Sequence, residues 1–189
     1  MLVQTTPPAI EPVSVEEARL FCRVDGVSED ALLASLISAA RQDAEMLLQR
    51  SLITQAWRLV LDGFPSRAIE LDRGTVLAVS SVSYLDMNGS VQILPPAEYV
   101  TDLSGCPGRI TPAFGKVWPP ALPQIASVKV DFTAGFGPSA ADVPEGIKRW
   151  IKIRVATVFS HREEVAASGS RDPYAFVAGL LDPWRAVRI

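Results

Sequence analysis

The segment SEDALLASLISAARQDAEMLL, residues 28–48, decides the fold. Its apolar residues recur at spacings of three and four, which places them on one face of an α-helix. Ser28 is predicted to cap this helix, with Glu29 and Asp30 in the first turn, where the helix dipole favours acidic residues. The segment is therefore predicted to be a long amphipathic helix that needs an apolar partner. The apolar face consists of Leu33, Leu36, Ile37, Ala40, Ala44, Leu47 and Leu48.

A shorter helix is predicted just before this segment. Ser14-Val15-Glu16-Glu17 is a capping box, in which the Ser14 hydroxyl accepts the amide hydrogen of Glu17 and the Glu17 carboxylate accepts that of Ser14. The helix should continue to about Arg23 and end at Asp25-Gly26, because glycine tolerates the left-handed conformation that closes a helix. We therefore predict that the region up to about Arg50 is helical.

Helical periodicity returns after residue 137. Asp142-Val143-Pro144-Glu145 is a helix start signal, with proline near the first turn. A loop over 161–171, a short helix over 172–181 and a tail that begins at Trp184 are predicted to follow, and Asp182-Pro183 is predicted to stop the short helix. The apolar stripe of the long helix consists of Ile147, Trp150, Ile151, Val155, Val158 and Phe159.

Between the helical regions, from about Thr54 to Gly137, the apolar period changes to two. The runs 57–61 and 128–132 alternate apolar with other residues, which is typical of strands with one buried face. Asn88-Gly89 predicts a hairpin turn with positive φ at both residues. Further strands are predicted at 69–71, 99–101 and 109–111, and the prolines among them confine these strands to edges and loops. Six or seven short strands indicate a small antiparallel sandwich or barrel-like sheet.

These regions together predict an α+β fold. Neither helical end can bury its apolar stripe alone, so the N-terminal helix pair and the C-terminal helices should pack against each other. We therefore predict a helical core from residues 1–53 and 138–189, with an inserted small antiparallel β domain over 54–137.

Composition narrows the function classes. The formal net charge is −3, whereas a chain that works by covering nucleic-acid phosphates normally carries a basic excess. No stretch approaches the roughly 18 consecutive apolar residues of a membrane span, and the N-terminus lacks a signal-peptide pattern. Cys22 and Cys106 match no metal spacing. We expect a soluble protein that is made in the cytoplasm, with free thiols and without cofactors.

The inventory of catalytic groups is poor. His161 is the single histidine and lies at a predicted helix end beside Arg162. No serine lies in a Gly-x-Ser-x-Gly elbow, and the adjacent carboxylates Glu16-Glu17 and Glu163-Glu164 point about 100° apart on a helix. Gly135-Phe136-Gly137 lacks the third glycine of a dinucleotide fingerprint, so we interpret it as a turn that leads into the next helix. The sequence therefore predicts no catalytic residues, no metal site and no enzyme.

One cluster of basic residues lies on a helix face. Lys148, Arg149 and Lys152 recur at spacings of three and four near the start of the third long helix. Basic residues in a first turn oppose the helix dipole, which an acidic partner or a phosphate backbone would offset. A solvated face balanced by Glu145 is the alternative.

The C-terminal tail is the second cluster of interest. Trp184, Arg185, Arg188 and Ile189 follow a helix-ending proline. Large apolar residues are usually covered, and tryptophan and arginine dominate interface energies. Two interpretations are open: the tail contacts another chain, or it packs against its own core.

Several segments in order resemble one known family, the head–tail connector (adaptor, or head completion) proteins of long-tailed phages, prophages and gene transfer agents. The resemblance is strongest to the variant with a β insertion between the helices. No single motif is specific, but their order along the chain is. The segments are VSVEEARLFCRVD (13–25), DALL (30–33), ISAARQDAE (37–45), FTAGFG (132–137), VPEGIK (143–148) and LLDPWR (180–185).

The resemblance implies a structural role in the virion, at the head–tail junction. Members of the family form a ring, twelvefold to match the portal, and bridge the portal protein to stopper or tail-completion proteins. DNA passes through the lumen without sequence recognition. The resemblance implies that Trp184, Arg185, Arg188 and Ile189 form a partner or ring interface, and that Lys148, Arg149 and Lys152 face the lumen or an acidic neighbour.

Two other functions remain open from the residues alone. One is a small β-domain binding module for a sugar or protein ligand, with the helices as a support. The other is a hydrolytic enzyme whose site the motifs do not reveal. Co-purification with a portal protein distinguishes the connector from the binding module, and a deep cleft with converging polar groups would favour the enzyme.

Overall fold

A computed structural model describes residues 1–160 and 179–185. Within these residues the chain forms three α-helices, α1 (Val15–Cys22), α2 (Asp30–Leu48) and α3 (Glu145–Ser160). The α+β class predicted from the sequence is confirmed. The eight strands in the described part are β1 (Leu2–Thr6), β2 (Gln55–Leu61), β3 (Ile69–Leu71), β4 (Val76–Leu85), β5 (Val91–Ile93), β6 (Tyr99–Asp102), β7 (Gly108–Pro112) and β8 (Val128–Ala134).

The three helices pack on one another around a shared apolar core. Leu33 and Ile37 of α2 are buried in the same cluster as Ile147 and Ile151 of α3. The two stripes are separated in sequence by the whole β region, so each half covers the other, as the periodicity required. No helix in the described ranges is both long and apolar enough to cross a bilayer.

The strands form two antiparallel sheets that pack as a sandwich. The larger sheet has the order β1-β2-β8-β4-β5, and the smaller has the order β3-β7-β6. Trp57 and Phe132 of the larger sheet are buried in one cluster with Ile69 and Ile110 of the smaller sheet. The predicted sandwich is therefore present and has its own core.

Strand β1 was not predicted. Residues 2–6 lie at an edge of the larger sheet, where Leu2 is opposite Leu59 of β2 and a bulge interrupts the register before Thr6. The prediction that everything before Arg50 is helical is wrong for this segment, and the strand was missed because residues 2–6 have two apolar residues followed by three polar ones and do not alternate. The division into a 1–53 and 138–189 core and a 54–137 insertion stays a prediction.

Two predicted helix ends differ in the structure. Helix α1 ends at Cys22, and Arg23, with φ of 55°, adopts the left-handed conformation that closes it, while Gly26, also at positive φ, lies three residues further on. Ser28 does not cap α2, because the helix begins at Asp30 and the cap position is Glu29, without a side-chain hydrogen bond. The Arg19 guanidinium Nε donates to Asp30 Oδ1 at 3.0 Å, which fixes the start of α2 against α1.

The β4–β5 hairpin is present, but its turn is not the predicted one. Gly89 has positive φ, whereas Asn88 does not. The Asp86 carboxylate accepts hydrogen bonds from the amides of Asn88 and Ser90, at 2.9 and 3.0 Å. This side-chain cap allows a longer turn in which a single glycine is enough.

Gly135 and Gly137 allow the sheet to join the helical core, as interpreted from the sequence. A Cβ on Gly135 would lie 2.7 Å from the Thr54 nitrogen, and one on Gly137 would overlap the Asp142 side chain. Ile53 and Gly137 form a parallel bridge at this point. The entry to the sandwich and the exit from it therefore run side by side.

The shared helical core predicts a large cost for shortening Ile151. We expect Ile151→Ala to lower the free energy of unfolding by about 2–5 kcal/mol, because the cavity would lie between the two halves. Leu20→Ala is the matched control, since Leu20 is exposed and should change stability by less than about 0.5 kcal/mol. Urea unfolding followed by tryptophan fluorescence measures both, and equal midpoints would contradict the shared core.

Candidate functional site

A buried polar network lies where the helical core meets the sandwich. The Arg41 guanidinium of α2 donates to Glu11 Oε2 and to Glu45 Oε2, each at 2.8 Å. Glu45 Oε1 accepts the Leu52 amide at 2.9 Å and also the Gln55 side-chain amide. Arg41 and Glu45 are both buried. The network joins α2 to the first residues of β2.

Burial raises the pKa of Glu45 above its ordinary value of 4.5. The Leu52 amide, Arg41 and Gln55 all act in the opposite direction, because they stabilise the charged carboxylate. Desolvation is the largest of these effects. Each oxygen of the carboxylate is nevertheless occupied by neighbours within the chain, so Glu45 has a structural role at the junction.

An open groove of about 660 Å³ runs along this junction. Its floor contains Trp57, whose indole Nε1 donates to Ser51 Oγ at 3.0 Å and whose ring lies 4.2 Å from the Arg73 guanidinium carbon. Arg41 and Glu45 line the groove but bind each other. In residues 1–160 and 179–185 no group of three or more His, Cys, Asp or Glu side chains could hold a metal ion.

The predicted basic face lies on α3 and is partly neutralised. Lys148 forms an ion pair with Glu145 one turn earlier, and its side chain is largely buried. Lys152 is half-buried, and its charge also contributes to the lowered pKa of Glu145. Arg149 is exposed and has no ion pair with another described residue. Of the three, Arg149 is the side chain most available to another molecule.

The tail packs against its own core as far as Trp184. The Trp184 ring meets Phe136 edge to face, with centroids 6.2 Å apart, and joins the edge of the helical core. Arg185 is exposed and pairs with Asp182 at 3.1 Å. Arg188 and Ile189 lie outside the described residues. Trp184 thus packs partly within the chain, and the interface role of Trp184, Arg185, Arg188 and Ile189 stays a prediction.

The predicted stop at Asp182-Pro183 is itself part of a helical turn, and the helix that it was predicted to end lies mostly outside the described residues. Asp182–Trp184 forms a short 3-10 helix, with Pro183 at its start. Proline fits there because the first residues of a helix donate no intrahelical hydrogen bond. His161, the predicted loop over 161–171 and most of the predicted short helix over 172–181 lie outside the described residues.

An exposed apolar corner lies where α1 turns into α2. Leu20 is 80% exposed and Val27 is 70% exposed, and Phe21 lies beside them at 45%. Glu16, one turn before Leu20, is also exposed, as is Asp25 in the connection. We call this surface, formed by Glu16, Leu20, Phe21, Asp25 and Val27, the α1–α2 corner.

A second exposed apolar surface lies at the end of the sandwich farthest from the helices. Phe114 is fully exposed, and Val117 and Ile125 are more than 80% exposed. Their loop is held in place, because Trp118 stacks on Phe64 at 4.8 Å and other residues of the loop bond to neighbouring strands. A fixed loop with apolar side chains on its surface is typical of an interaction site.

Neither apolar surface was identified from the sequence. For Leu20 the helical spacing was a usable signal. Ala18 is buried, and residues two apart on a helix point about 200° apart, so Leu20 must point away from the core. An apolar residue opposite the stripe cannot reach the core. For Phe114 no such signal existed, since a long proline-rich loop has no periodicity.

Comparisons with known proteins show similarity to one family over part of the chain. Residues 12–90 match the family described as Phage gp6-like head-tail connector protein. The match begins just before α1 and extends through α2 into the β4–β5 turn. No curated protein sequence matches the chain significantly.

Solved structures resemble the whole chain. A chain of the virion of a native gene transfer agent (GTA) particle superimposes with a TM-score of 0.82 at 27% identity, covering 100% of this chain and 97% of that one. A chain of the neck of an empty GTA particle with C6 symmetry gives 0.81 at 27% identity, with the same coverage. A chain of the neck of a native GTA particle with C12 symmetry gives 0.75 at 24% identity, again with the same coverage, and shows the fold alone. The resemblance to connector proteins is confirmed.

The raised pKa of Glu45 predicts a pH effect of defined sign. The folded protein holds the Glu45 proton more tightly than the unfolded chain, so the contribution of Glu45 to stability grows as pH falls through the interval between its raised pKa and 4.5. Relative to Glu45→Gln, the wild type should therefore gain stability between pH 7 and about pH 4.5. Urea midpoints of both proteins across this range measure the difference.

Asp131→Asn provides the control for this measurement. Hydrogen bonding to Arg58 lowers the pKa of Asp131 below its ordinary value of 3.8, so its contribution is fully present above that value and is lost only at lower pH. The difference between wild type and Asp131→Asn should stay constant from pH 7 to about pH 4.5. A constant difference for Glu45→Gln as well would contradict the burial effect.

The packing of Trp184 predicts a stability effect within the monomer. Trp184→Ala should lower the free energy of unfolding by about 1–3 kcal/mol, less than a fully buried tryptophan, because the ring is only half-buried. Arg185→Ala should change it by less than about 0.5 kcal/mol, since its pair with Asp182 is exposed. Thermal unfolding of the two variants compares them, and no loss for Trp184→Ala would place the tail off the core.

Proposed function

We infer that the chain is a structural head–tail connector protein of a phage-type virion or gene transfer agent particle. The observation that carries this conclusion is the superposition of the entire chain on a chain of a GTA virion at 27% identity. The match of residues 12–90 to the connector family agrees with it. The place of such a protein is in the virion, at the neck.

A connector works by shape and by surfaces, and the fold suits this role. The helical core and the sandwich each have an apolar core of their own. The Arg41–Glu45–Gln55 network and the crossing at Gly135 hold the two parts together at their junction. We propose that the chain is a non-enzymatic structural protein, and the internal pairing of the charged groups in its groove supports this.

The proposed assembly is a ring of twelve copies. The C12 symmetry of the neck that contains a similar fold supports this number. Identical subunits close into a ring when two different surfaces of each copy are complementary. In this proposal the ring binds the portal protein on one side and stopper or tail-completion proteins on the other, and DNA passes through the lumen without sequence recognition.

The candidate residues take different parts in this proposal. Trp184 anchors the tail on its own core, and Arg185, Arg188 and Ile189 contact a partner or a neighbouring copy beyond that anchor. Lys148, Arg149 and Lys152 face either the lumen or an acidic neighbour, with Arg149 the most exposed of the three. The fixed apolar loop around Phe114 supplies a further contact surface on the sandwich.

A β-sandwich binding module is the alternative function. The exposed loop of Phe114, Val117 and Ile125 favours it, because this surface belongs to the sandwich alone. The connector function accounts for more of the observations. The family match begins in the helices, and the similar virion chain includes both the helical core and the sandwich.

Removal of the chain should separate heads from tails. In cells that produce the particle, deletion of its gene should leave heads and tails that accumulate unjoined, and expression of the chain from a plasmid should restore joined particles. Electron microscopy of lysates counts the three species. Joined particles at the normal level without the chain would contradict a connector role.

The position of the chain in the particle is a separate test. A small tag fused to the N-terminus and labelled with gold should appear at the neck, because Met1 lies at the exposed end of the sandwich. Label along the tail or over the capsid surface would exclude the neck, and a sugar or protein ligand bound by free protein, without incorporation into particles, would favour the binding module.

A further inference from the structure

The α1–α2 corner has apolar side chains that stay exposed in the described part of the chain. Leu20 lies on the side of α1 opposite the buried Ala18, and both Leu20 and Val27 remain mostly exposed. Two large apolar side chains at this level of exposure on one short segment are typical of a surface that another molecule covers.

The charge of this corner is negative. Residues 14–30 contain five acidic residues and two arginines. Arg19 is already paired with Asp30. Glu16 and Asp25 are exposed and form no salt bridge with another described residue. Arg23 is also exposed, but the five acidic residues outnumber the two arginines. A molecule that covers Leu20 and Val27 therefore meets a rim of net negative charge.

Helix α3 has the opposite charge. It contains four basic residues and one acid, over residues 145–160. Lys148 is paired with Glu145, and Arg154 lies 3.4 Å from Asp43. Arg149 remains exposed near the N-terminal end of the helix, where a positive charge opposes the helix dipole. An external acid would offset that effect.

The two surfaces are different and complementary, so a contact of the corner with another corner is disfavoured, because like charges placed together cost several kcal/mol. The corner can meet α3 of another copy in two ways. Reciprocal pairing across a two-fold axis would stop at two copies, and the ring proposed above requires the head-to-tail arrangement instead. A heterologous contact places the corner of one copy against α3 of the next. Repetition of such a contact produces a closed ring when the rotation fits.

We propose that neighbouring copies of this chain meet through the α1–α2 corner of one copy and the Arg149 face of α3 of the next. This proposal rests on the ring assembly proposed above and names its contact. Leu20 and Val27 supply the apolar centre, and Glu16 and Asp25 of one copy attract Arg149 and Lys152 of its neighbour. In this arrangement Arg149 faces protein, not DNA.

Charge reversal tests the contact without removing any apolar packing. The corner variant is Glu16→Arg with Asp25→Arg, and the α3 variant is Arg149→Glu. Either variant alone places like charges at every contact of the ring, so we expect at least about a tenfold loss of joined particles in cells that lack the native chain. Urea midpoints of the purified variants verify that both fold.

Expression of the two variants together provides the decisive result. In an alternating ring the reversed corner meets the reversed α3, and the native corner meets the native α3, so every contact is again between opposite charges. A ring of twelve accommodates this alternation because twelve is even. We therefore expect the mixture to restore joined particles to within about threefold of the wild-type number. A threefold difference corresponds to a loss of less than about 1 kcal/mol in the free energy of assembly.

Control variants reverse charges on the sandwich: Arg67→Glu makes the same change as the α3 variant, and Glu70→Arg makes half the change of the corner variant. Arg67 and Glu70 are both exposed, and Glu70 belongs to β3 of the sandwich. Arg67→Glu and Glu70→Arg should each give joined particles at the wild-type level. A comparable loss from these controls would mean that net charge, and not the proposed contact, limits assembly.

Two results would overturn the proposal. The first is normal assembly of either variant alone, and if Arg149→Glu assembles normally but loses packaged DNA, α3 faces the lumen. The second is failure of the mixture although both variants fold. Absence of the wild-type chain from the neck would instead refute the proposed function, and this contact with it.

Discussion

The burial of the α2 stripe against the α3 stripe is the contact on which the rest of the structure depends. Ile37 of α2 and Ile151 of α3 are both buried in the same cluster, although about a hundred residues separate them in sequence. Because each stripe alone would remain in water, the helical core forms only when the chain returns after the sandwich. That return places Ile53 beside Gly137 and fixes the base of the sandwich on the helices.

The polar network at the junction complements this apolar contact. A buried carboxylate such as Glu45 carries a desolvation cost, which Arg41, Gln55 and the Leu52 amide offset through directed hydrogen bonds. Apolar packing tolerates small rotations, whereas these bonds require one geometry. The network therefore contributes to the orientation of the sandwich on the helices, which matters for a protein that acts by presenting surfaces at fixed positions.

The difference between the core-facing and the outward-facing sides of each element explains where interaction surfaces occur. Residues that face the shared core have no freedom to serve a partner, so the surfaces lie on the opposite sides of the same elements. Leu20 is on the outer side of α1, and Arg149 is on the outer side of α3. The sandwich adds a third surface at its far end, where stacking of Trp118 on Phe64 holds the loop that exposes Phe114. A connector in a neck contacts several neighbours at once, and separate surfaces of this kind suit that position.

The sequence by itself determined the three helices and most strands, because apolar periods of 3.6 and 2 follow from local backbone geometry. It also determined the mutual need of the helical halves, since the stripes of Leu33 and Ile147 have no other apolar partner. Only the tertiary structure decided that residues 2–6 form an edge strand, that Trp184 packs on Phe136, and that Lys148 is held by Glu145 while Arg149 remains exposed. Periodicity shows which side of a helix or strand is apolar, but it does not show which distant residues cover that side. The exposure of a side chain depends on those distant residues, so only the tertiary structure decides it.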